Sequence, residues 1–158
     1  MKKFITLLSI IFLVGFVTSC SDNDEGVQFT GTFGDLPQTA QNLLNKYFQG
    51  EGNVEKVELD EDSDVLIYEV ETKDGFEIVF NSRGEWQQID APDDKNVPDA
   101  LIPEQILVTL NERFNGYGVI EINTVGENYH VVLNNMQGGA SIGMILNQSG
   151  EILSYDND

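Results

Sequence analysis

The chain has 158 residues, of which 27 are acidic and 8 are basic, so its formal net charge is −19. Nucleic-acid binding depends on lysine and arginine that displace counterions from phosphates, so this charge excludes nucleic acid as a partner and disfavours direct contact with an anionic membrane surface. Because 41% of the residues are hydrophobic, we interpret the acids as the surface of a folded domain and not as a sign of disorder.

The first nineteen residues predict a signal peptide. Two lysines, Lys2 and Lys3, precede an apolar run at 4–17. This run is shorter than the ~20 apolar residues that a membrane-spanning helix needs, and it matches the hydrophobic region of a secretory signal. The motif Val17-Thr18-Ser19-Cys20 resembles a bacterial lipobox, whose cysteine is acylated and becomes the new N-terminus. The alternative is an ordinary signal peptide followed by a coincidental cysteine.

Cys20 is the only cysteine, so no intrachain disulfide can form, and an unpaired cysteine in an exported protein calls for an explanation. Lipidation of Cys20 supplies one. We therefore predict an exported protein that lipid anchors to the outer membrane, on its periplasmic side or at the cell surface. Residues 20–35 are predicted to form a polar tether, within which 27–29 can form a brief strand.

The rest of the chain repeats itself. Residues 36–50 and 102–116 resemble each other, with Pro37 matching Pro103 at an offset of 66. The same offset relates Gly84 to Gly150 in two Asn-x-x-Gly turns. Equal offsets at both ends of a segment are typical of an internal repeat. We interpret the chain as two tandem units, 36–90 and 99–158, joined by a linker at 91–98.

Each unit predicts one helix followed by four short strands. Ala40, Leu44 and Phe48 recur at the helical spacing of one face, as do Ile106, Leu110 and Phe114 in the second unit. The following stretches alternate with the period of half-buried strands. They are 54–59, 65–71, 76–81 and 85–89, then 119–124, 129–134, 141–147 and 151–155. The short breaks between strands require hairpins, so the predicted fold class is α+β, an antiparallel sheet with the helices packed on one face.

The strands of the first unit carry a recognisable plan. They contain Tyr68-x-Val70, a Gly75-x-Glu77-Ile78-x-Phe80 strand, an Asn81-x-x-Gly84 turn and a strand with Trp86. Together with the second unit and the lipobox, this plan resembles the PepSY-like family, which is related in fold to the beta-lactamase inhibitor protein. The resemblance covers residues 36–156. It implies this fold and a secreted binding or inhibitory role without naming a target, and similar folds host unrelated functions.

Alternation assigns one side of the sheet to the helices and leaves the other side as a candidate surface for a protein or peptide partner. The predicted partner-binding residues are Ile67, Glu69, Glu77, Val79, Trp86, His130, Val132 and Ile145. The alternative is a solvated sheet face, or one packed against a second copy. Trp86 joins this face if the turn at 81–84 is a plain hairpin, and it joins the core if a bulge intervenes.

No cofactor, catalytic residue or metal site is predicted, and we expect the protein not to be an enzyme. Asp60, Asp62 and Asp64 have the spacing of a calcium loop, but Val65 stands where that loop needs glycine, so a charged hairpin tip explains them. His130 is the lone histidine, too few for structural zinc. The leading hypothesis is therefore a lipid-anchored binding or inhibitory module. The alternative is an acidic surface lipoprotein that binds calcium or another cation.

Overall fold

The computed structural model describes residues 27–62, 65–135 and 138–156. The predicted signal peptide, Cys20 and the first part of the predicted tether lie outside the described residues. Within the described ranges, no helix has both the length and the hydropathy needed to cross a membrane.

Nine strands form one antiparallel sheet in which the strands follow each other in chain order. The strands are β1 (Val27–Gly31), β2 (Val54–Asp62), β3 (Val65–Thr72), β4 (Glu77–Asn81), β5 (Trp86–Asp90), β6 (Tyr117–Val125), β7 (Asn128–Asn135), β8 (Ile142–Leu146) and β9 (Ile152–Tyr155). Helix α1 (Gln38–Tyr47) precedes β2, and helix α2 (Glu104–Arg113) precedes β6. The predicted α+β class and antiparallel sheet are confirmed. The interpretation of the two halves as copies of one unit stays a prediction.

The segment predicted as a tether contributes to the fold. Val27–Gly31 forms β1 at the edge of the sheet, where Phe29 pairs with Leu59 of β2. A short 3-10 turn at Phe33–Asp35 then leads into α1, and Asp35 accepts hydrogen bonds from the backbone and hydroxyl of Thr32. The brief strand predicted at 27–29 is therefore present and continues to Gly31.

The core lies between the helices and one face of the sheet. Ala40 and Leu44 of α1 and Ile106 of α2 are completely buried against it. The buried strand residues are Val57, Tyr68, Val70, Ile78, Phe80, Ile89, Val119, Ile122, Val131, Leu133, Met144 and Leu146. They form one continuous cluster with the helices, so the predicted packing of the helices on one face of the sheet is confirmed.

Each Asn-x-x-Gly turn packs against a helix. Gly84 is buried at φ 77°, and a Cβ atom there would lie 2.8 Å from the backbone nitrogen of Ala40 in α1. Gly150, at φ 81°, meets the carbonyl oxygen of Gln105 in α2 in the same way. Both turns therefore need glycine for two reasons, the left-handed backbone and the close approach to a helix.

The predicted linker runs along β6 and is hydrogen-bonded to it. The backbone N–H of Ala91 donates to the carbonyl of Ile120 over 2.8 Å, and that of Val97 donates to the carbonyl of Val119 over 2.7 Å. The side chain of Val97 is buried in the core. These contacts hold the linker alongside the first residues of β6.

Lys95 of the linker fixes the turn between β3 and β4. Its ammonium lies 2.7 Å from the carboxylate of Asp74, which also accepts a hydrogen bond from Asn53 over 2.6 Å. Burial of Asp74 opposes its ionisation, but hydrogen bonds from Lys95, Asn53 and Thr72 outweigh that effect and lower its pKa from 3.8 to about 2. The ionised form of Asp74 is therefore favoured in the folded state.

We predict that Asp74→Asn makes the free energy of unfolding less sensitive to acid. A depressed pKa in the folded state contributes stability above the unfolded value, and the contribution is lost as the pH falls from about 4 to about 2. The variant should be less stable by about 1 kcal/mol at pH 7, as expected for a partly exposed ion pair, and equal to wild type near pH 2. Urea denaturation between pH 7 and pH 2 measures this difference.

The matched control for that experiment is Asp93→Asn, which removes the same charge from an exposed position of the linker. It should leave the shape of the stability–pH curve unchanged. A constant offset between Asp74→Asn and wild type at every pH would show that the ion pair is not the cause.

Candidate functional site

The candidate site is the sheet surface that faces away from both helices, which we call the open face. Because side chains alternate along a strand, residues paired across neighbouring strands share a face. The register places two rows of side chains on the open face. Row one contains Glu58, Glu69, Val79, Gln88, Asn123, His130 and Ile145. Row two contains Lys56, Glu71, Glu77, Asp90, Glu121, Val132 and Gly143.

Seven of the eight predicted partner-binding residues lie together on this surface. Six belong to the two rows, and Ile67 lies beside them, paired with Asp60 on β2 and Asn81 on β4. The aliphatic members Ile67, Val79, Val132 and Ile145 are each half-buried. The open face therefore combines partly exposed aliphatic groups with many carboxylates, as alternation predicted. That these residues bind a partner stays a prediction.

Trp86 is the exception. It pairs with Phe80, whereas Val79 pairs with Gln88, so Gln87 is an extra residue that forms a bulge in β5. The bulge turns Trp86 to the helix side, where its ring lies 6.3 Å from the ring of Tyr129 and packs against the core. The assignment of Trp86 to the partner-binding face is therefore wrong, and the bulged alternative is right.

On the helix side, Trp86 lines a shallow groove of about 400 Å³. Tyr129 forms the opposite part of this groove, and Thr39 and Leu43 of α1 border it. The groove lies where the first half of the chain meets the second, on the side of the sheet away from the open face.

The carboxylates of the open face repel each other. Burial raises the pKa of Glu69, and the negative charge of Glu58 on the neighbouring strand raises it further. Burial likewise raises the pKa of Glu77, with a further contribution from Asp90. The pKa of Asp90 is raised by burial and by Glu121 across the strand. Like charges that face each other across strands destabilise a sheet, so packing elsewhere offsets this repulsion.

One lysine stands among these acids. Lys56 of row two lies 2.8 Å from Glu58, and this hydrogen bond raises the pKa of Lys56 although burial opposes the shift. Both side chains are partly exposed, so the pair contributes little to stability. One lysine leaves most of the acidic charge of the two rows uncompensated.

His130 is held between two carboxylates. Its Nε2 atom lies 2.8 Å from Oδ2 of Asp156, and its Nδ1 atom lies 3.5 Å from Oε1 of Glu121. The side chain of Asp156 reaches His130 by crossing above Gly143, where a Cβ atom would overlap the carboxylate. Sequence reasoning missed Asp156 and Glu121 as neighbours of His130, because the pairing of β6 with β7 and the path after β9 are tertiary features.

Asn123 lies in the middle of row one with an unsatisfied acceptor. Its Oδ1 atom is buried and, within the described part of the chain, has no hydrogen-bond partner. Its Nδ2 atom donates a long hydrogen bond of 3.5 Å to Glu121. A buried acceptor without a donor costs free energy, so Asn123 opposes folding at this position.

The predicted calcium-loop residues do not form a described site. Asp60 and Asp62 lie in the last three residues of β2. Residues 63 and 64 lie outside the described residues. Among the residues that the structure describes, no group of three or more His, Cys, Asp or Glu side chains is arranged to hold a metal ion.

Comparison with known proteins defines the family. The chain belongs to the family described as "Putative beta-lactamase-inhibitor-like, PepSY-like", whose model matches residues 66–154. The resemblance that the sequence motifs indicated is therefore confirmed. Among curated proteins, no sequence matches the chain.

Solved structures share the fold. A "putative periplasmic protein of unknown function" from Bacteroides vulgatus is 26% identical, with a TM-score of 0.73 over 83% of this chain and 100% of that chain. A "putative calcium-regulated periplasmic protein" from Bacteroides thetaiotaomicron is 22% identical, with a TM-score of 0.71 over 82% of this chain and 97% of that chain. Both of these neighbours are described as periplasmic proteins.

We predict that Glu69→Gln stabilises the protein at neutral pH. A carboxyl group whose pKa is raised in the folded state destabilises that state once it ionises, so the penalty is absent below the ordinary value of 4.5 and complete at pH 7. The variant should gain a few tenths to about 1 kcal/mol at pH 7 and nothing at pH 4. Thermal and urea unfolding at both values of pH test this.

Glu112→Gln, at an exposed position of α2, is the control with the same change of net charge. It should have little effect at either pH. A lower free energy of unfolding for Glu69→Gln at pH 7 would contradict the repulsion inferred for the open face.

Proposed function

We propose that the chain is an exported, lipid-anchored binding or inhibitory module that contacts a protein or peptide through the open face. The observation that supports this most directly is the composition of that face. Half-buried aliphatic side chains, among them Val79, Val132 and Ile145, stand among carboxylates whose mutual repulsion opposes folding. Features that oppose folding in this way are expected at functional sites.

The shape of the fold favours a macromolecular partner. Both helices pack on one side of the sheet, and the open face is wide enough to include nine adjacent strands. Recognition of proteins uses broad surfaces with an apolar centre and a polar rim, whereas small ligands are bound in concave pockets. Membership of an inhibitor-like family agrees with this role. That the protein is not an enzyme stays a prediction.

Lipid anchoring through Cys20 can be tested directly. The protein should incorporate radiolabelled palmitate when expressed with its full leader in a gram-negative host, and it should fractionate with the outer membrane. The variant Cys20→Ser should lose the label and leave the membrane fraction, because the lipid is attached through the cysteine sulfur. A wild-type protein without label would favour an ordinary signal peptide, and a Cys20→Ser variant that retains the label would show that lipid is attached at another residue.

Partner binding can be tested by capture from envelope and secreted fractions on immobilised residues 21–158. A partner held by the open face should remain bound at high salt, where purely electrostatic capture is screened. The triple variant Glu69→Gln, Val132→Thr, Ile145→Thr should reduce its recovery by about tenfold or more, since central contacts carry most of the binding energy of an interface. Quantitative mass spectrometry of the eluted proteins measures the recovery.

The control for the capture is Val108→Thr with Glu112→Gln, which changes exposed residues on the outer side of α2. It should retain the partner. Equal recovery on wild type and on the triple variant would show that the open face is not the binding surface.

A second candidate function is the binding of calcium or another cation. The acidic tip at the end of β2 favours it, as does the structural neighbour described as calcium-regulated. A calcium titration followed by thermal unfolding separates the two candidates. Under this alternative, calcium raises the melting temperature of wild type and of the triple variant equally, because the substitutions leave the tip unchanged.

A further inference from the structure

The outer side of β9 is an edge of the sheet with exposed apolar side chains. No strand within the described residues pairs with this side, and Leu153 and Tyr155 are each 51% exposed. The backbone N–H of Asp156 donates inward to the carbonyl of Gly143, over 2.9 Å. Because backbone groups alternate in direction along an antiparallel strand, the N–H and C=O of Tyr155 are directed outward. The edge therefore offers backbone hydrogen-bonding groups beside exposed apolar groups.

Strand β5 is built in the same way as β9, but its outer side is covered. Each of the two strands follows an Asn-x-x-Gly turn and contains a bulge, at Gln87 in β5 and at Leu153 in β9. Two residues after the bulge come Ile89 in β5 and Tyr155 in β9. Ile89 lies opposite Ile122 of β6 and is completely buried, whereas Tyr155 is half exposed. The molecule itself thus shows what covers an edge of this form, an antiparallel strand with an apolar residue at the position of Ile122.

Charge indicates which strand would suit the edge of β9. Where β5 meets β6, Asp90 faces Glu121, and like charges directly opposite each other destabilise a sheet. Asp156 takes the corresponding place after Tyr155 and is exposed, with its Oδ2 atom in contact with His130. A strand with lysine or arginine opposite Asp156 would replace this repulsion by attraction. A second copy of the chain suits the edge poorly, because each copy has a net charge of −19 and such copies repel each other.

We propose that the outer side of β9 binds an extended segment of another protein, which adds a strand antiparallel to β9. The segment has an apolar residue opposite Tyr155 and a basic residue opposite Asp156. In strand addition of this kind, main-chain hydrogen bonds supply affinity and alternate side chains supply specificity. The inference does not rest on the proposed function, because the site is an edge of the sheet and not its open face.

A peptide copied from β6 tests the inference, because β6 is the strand that covers β5. The probe is a fluorescently labelled peptide of residues 117–125 with the change Glu121→Lys, titrated with the chain of residues 21–158 and followed by fluorescence anisotropy. Wild type should bind it. The same peptide with its native Glu121 should bind about threefold or more weakly, because a glutamate there would face Asp156.

The decisive variant is Tyr155→Pro, which removes the outward N–H and the exposed ring. It should bind the lysine peptide about tenfold or more weakly, with little loss of stability, because proline is tolerated on an edge strand where the N–H faces solvent. The matched control is Phe29→Ser on β1, which changes a side chain 54% exposed at the opposite edge. It should bind within about threefold of wild type, as expected for a surface substitution away from the site.

Circular dichroism establishes that the variants are folded. If Tyr155→Pro is not, Tyr155→Ser replaces it and should weaken binding by about threefold or more through loss of the ring. Hydrogen exchange gives a second readout, since the amide of Tyr155 should become protected when the peptide binds.

Three outcomes would overturn the inference. They are no binding to wild type at about 1 mM peptide, equal weakening by Phe29→Ser and the Tyr155 variant, and unchanged exchange of the Tyr155 amide. Sedimentation of wild type alone tests the other occupant: a dimer that the Tyr155 variant abolishes would assign the edge to a second copy and overturn the choice of a foreign segment. None of these results bears on the open face, which the capture experiment tests with different substitutions.

Discussion

The pairing of β5 with β6 is the contact on which the architecture depends. It joins the last strand of the first half to the first long strand of the second, through Ile89 opposite Ile122. Both side chains are completely buried, so the core is continuous across this seam. Without it the chain would form two smaller sheets, each with a further exposed edge and a core too small for a stable domain.

The seam is short, and the linker reinforces it. Three residue pairs are in register between β5 and β6, and one of them sets Asp90 against Glu121, two like charges. The hydrogen bonds from Ala91 and Val97 to β6 extend the pairing along the same strand. The ion pair between Lys95 and Asp74 ties the linker to the turn of the first half. The linker thus offsets the repulsion between Asp90 and Glu121 at the centre of the open face.

Much of the fold follows from the sequence, because alternation and turn residues are local signals. All eight predicted strands overlap an observed strand, and the predicted face assignment holds wherever the strands are regular. It fails at Trp86, where the bulge at Gln87 changes the side on which the ring lies. The alternation of apolar and polar residues does not show where a strand gains an extra residue, so the side on which Trp86 lies could not be decided from the sequence. The positions of Asp156 and Asn123 depend on strand order, which is also a tertiary property.

The acidic rows and the bulge in β5 together determine which side chains the open face offers to a partner. The bulge withdraws the only tryptophan from the open face and places it against Tyr129 and the core. What remains on the open face is aliphatic, polar or charged, without the large aromatic side chain that commonly anchors a hydrophobic interface. Binding there must then depend more on charge complementarity, which governs specificity and association rate more than affinity.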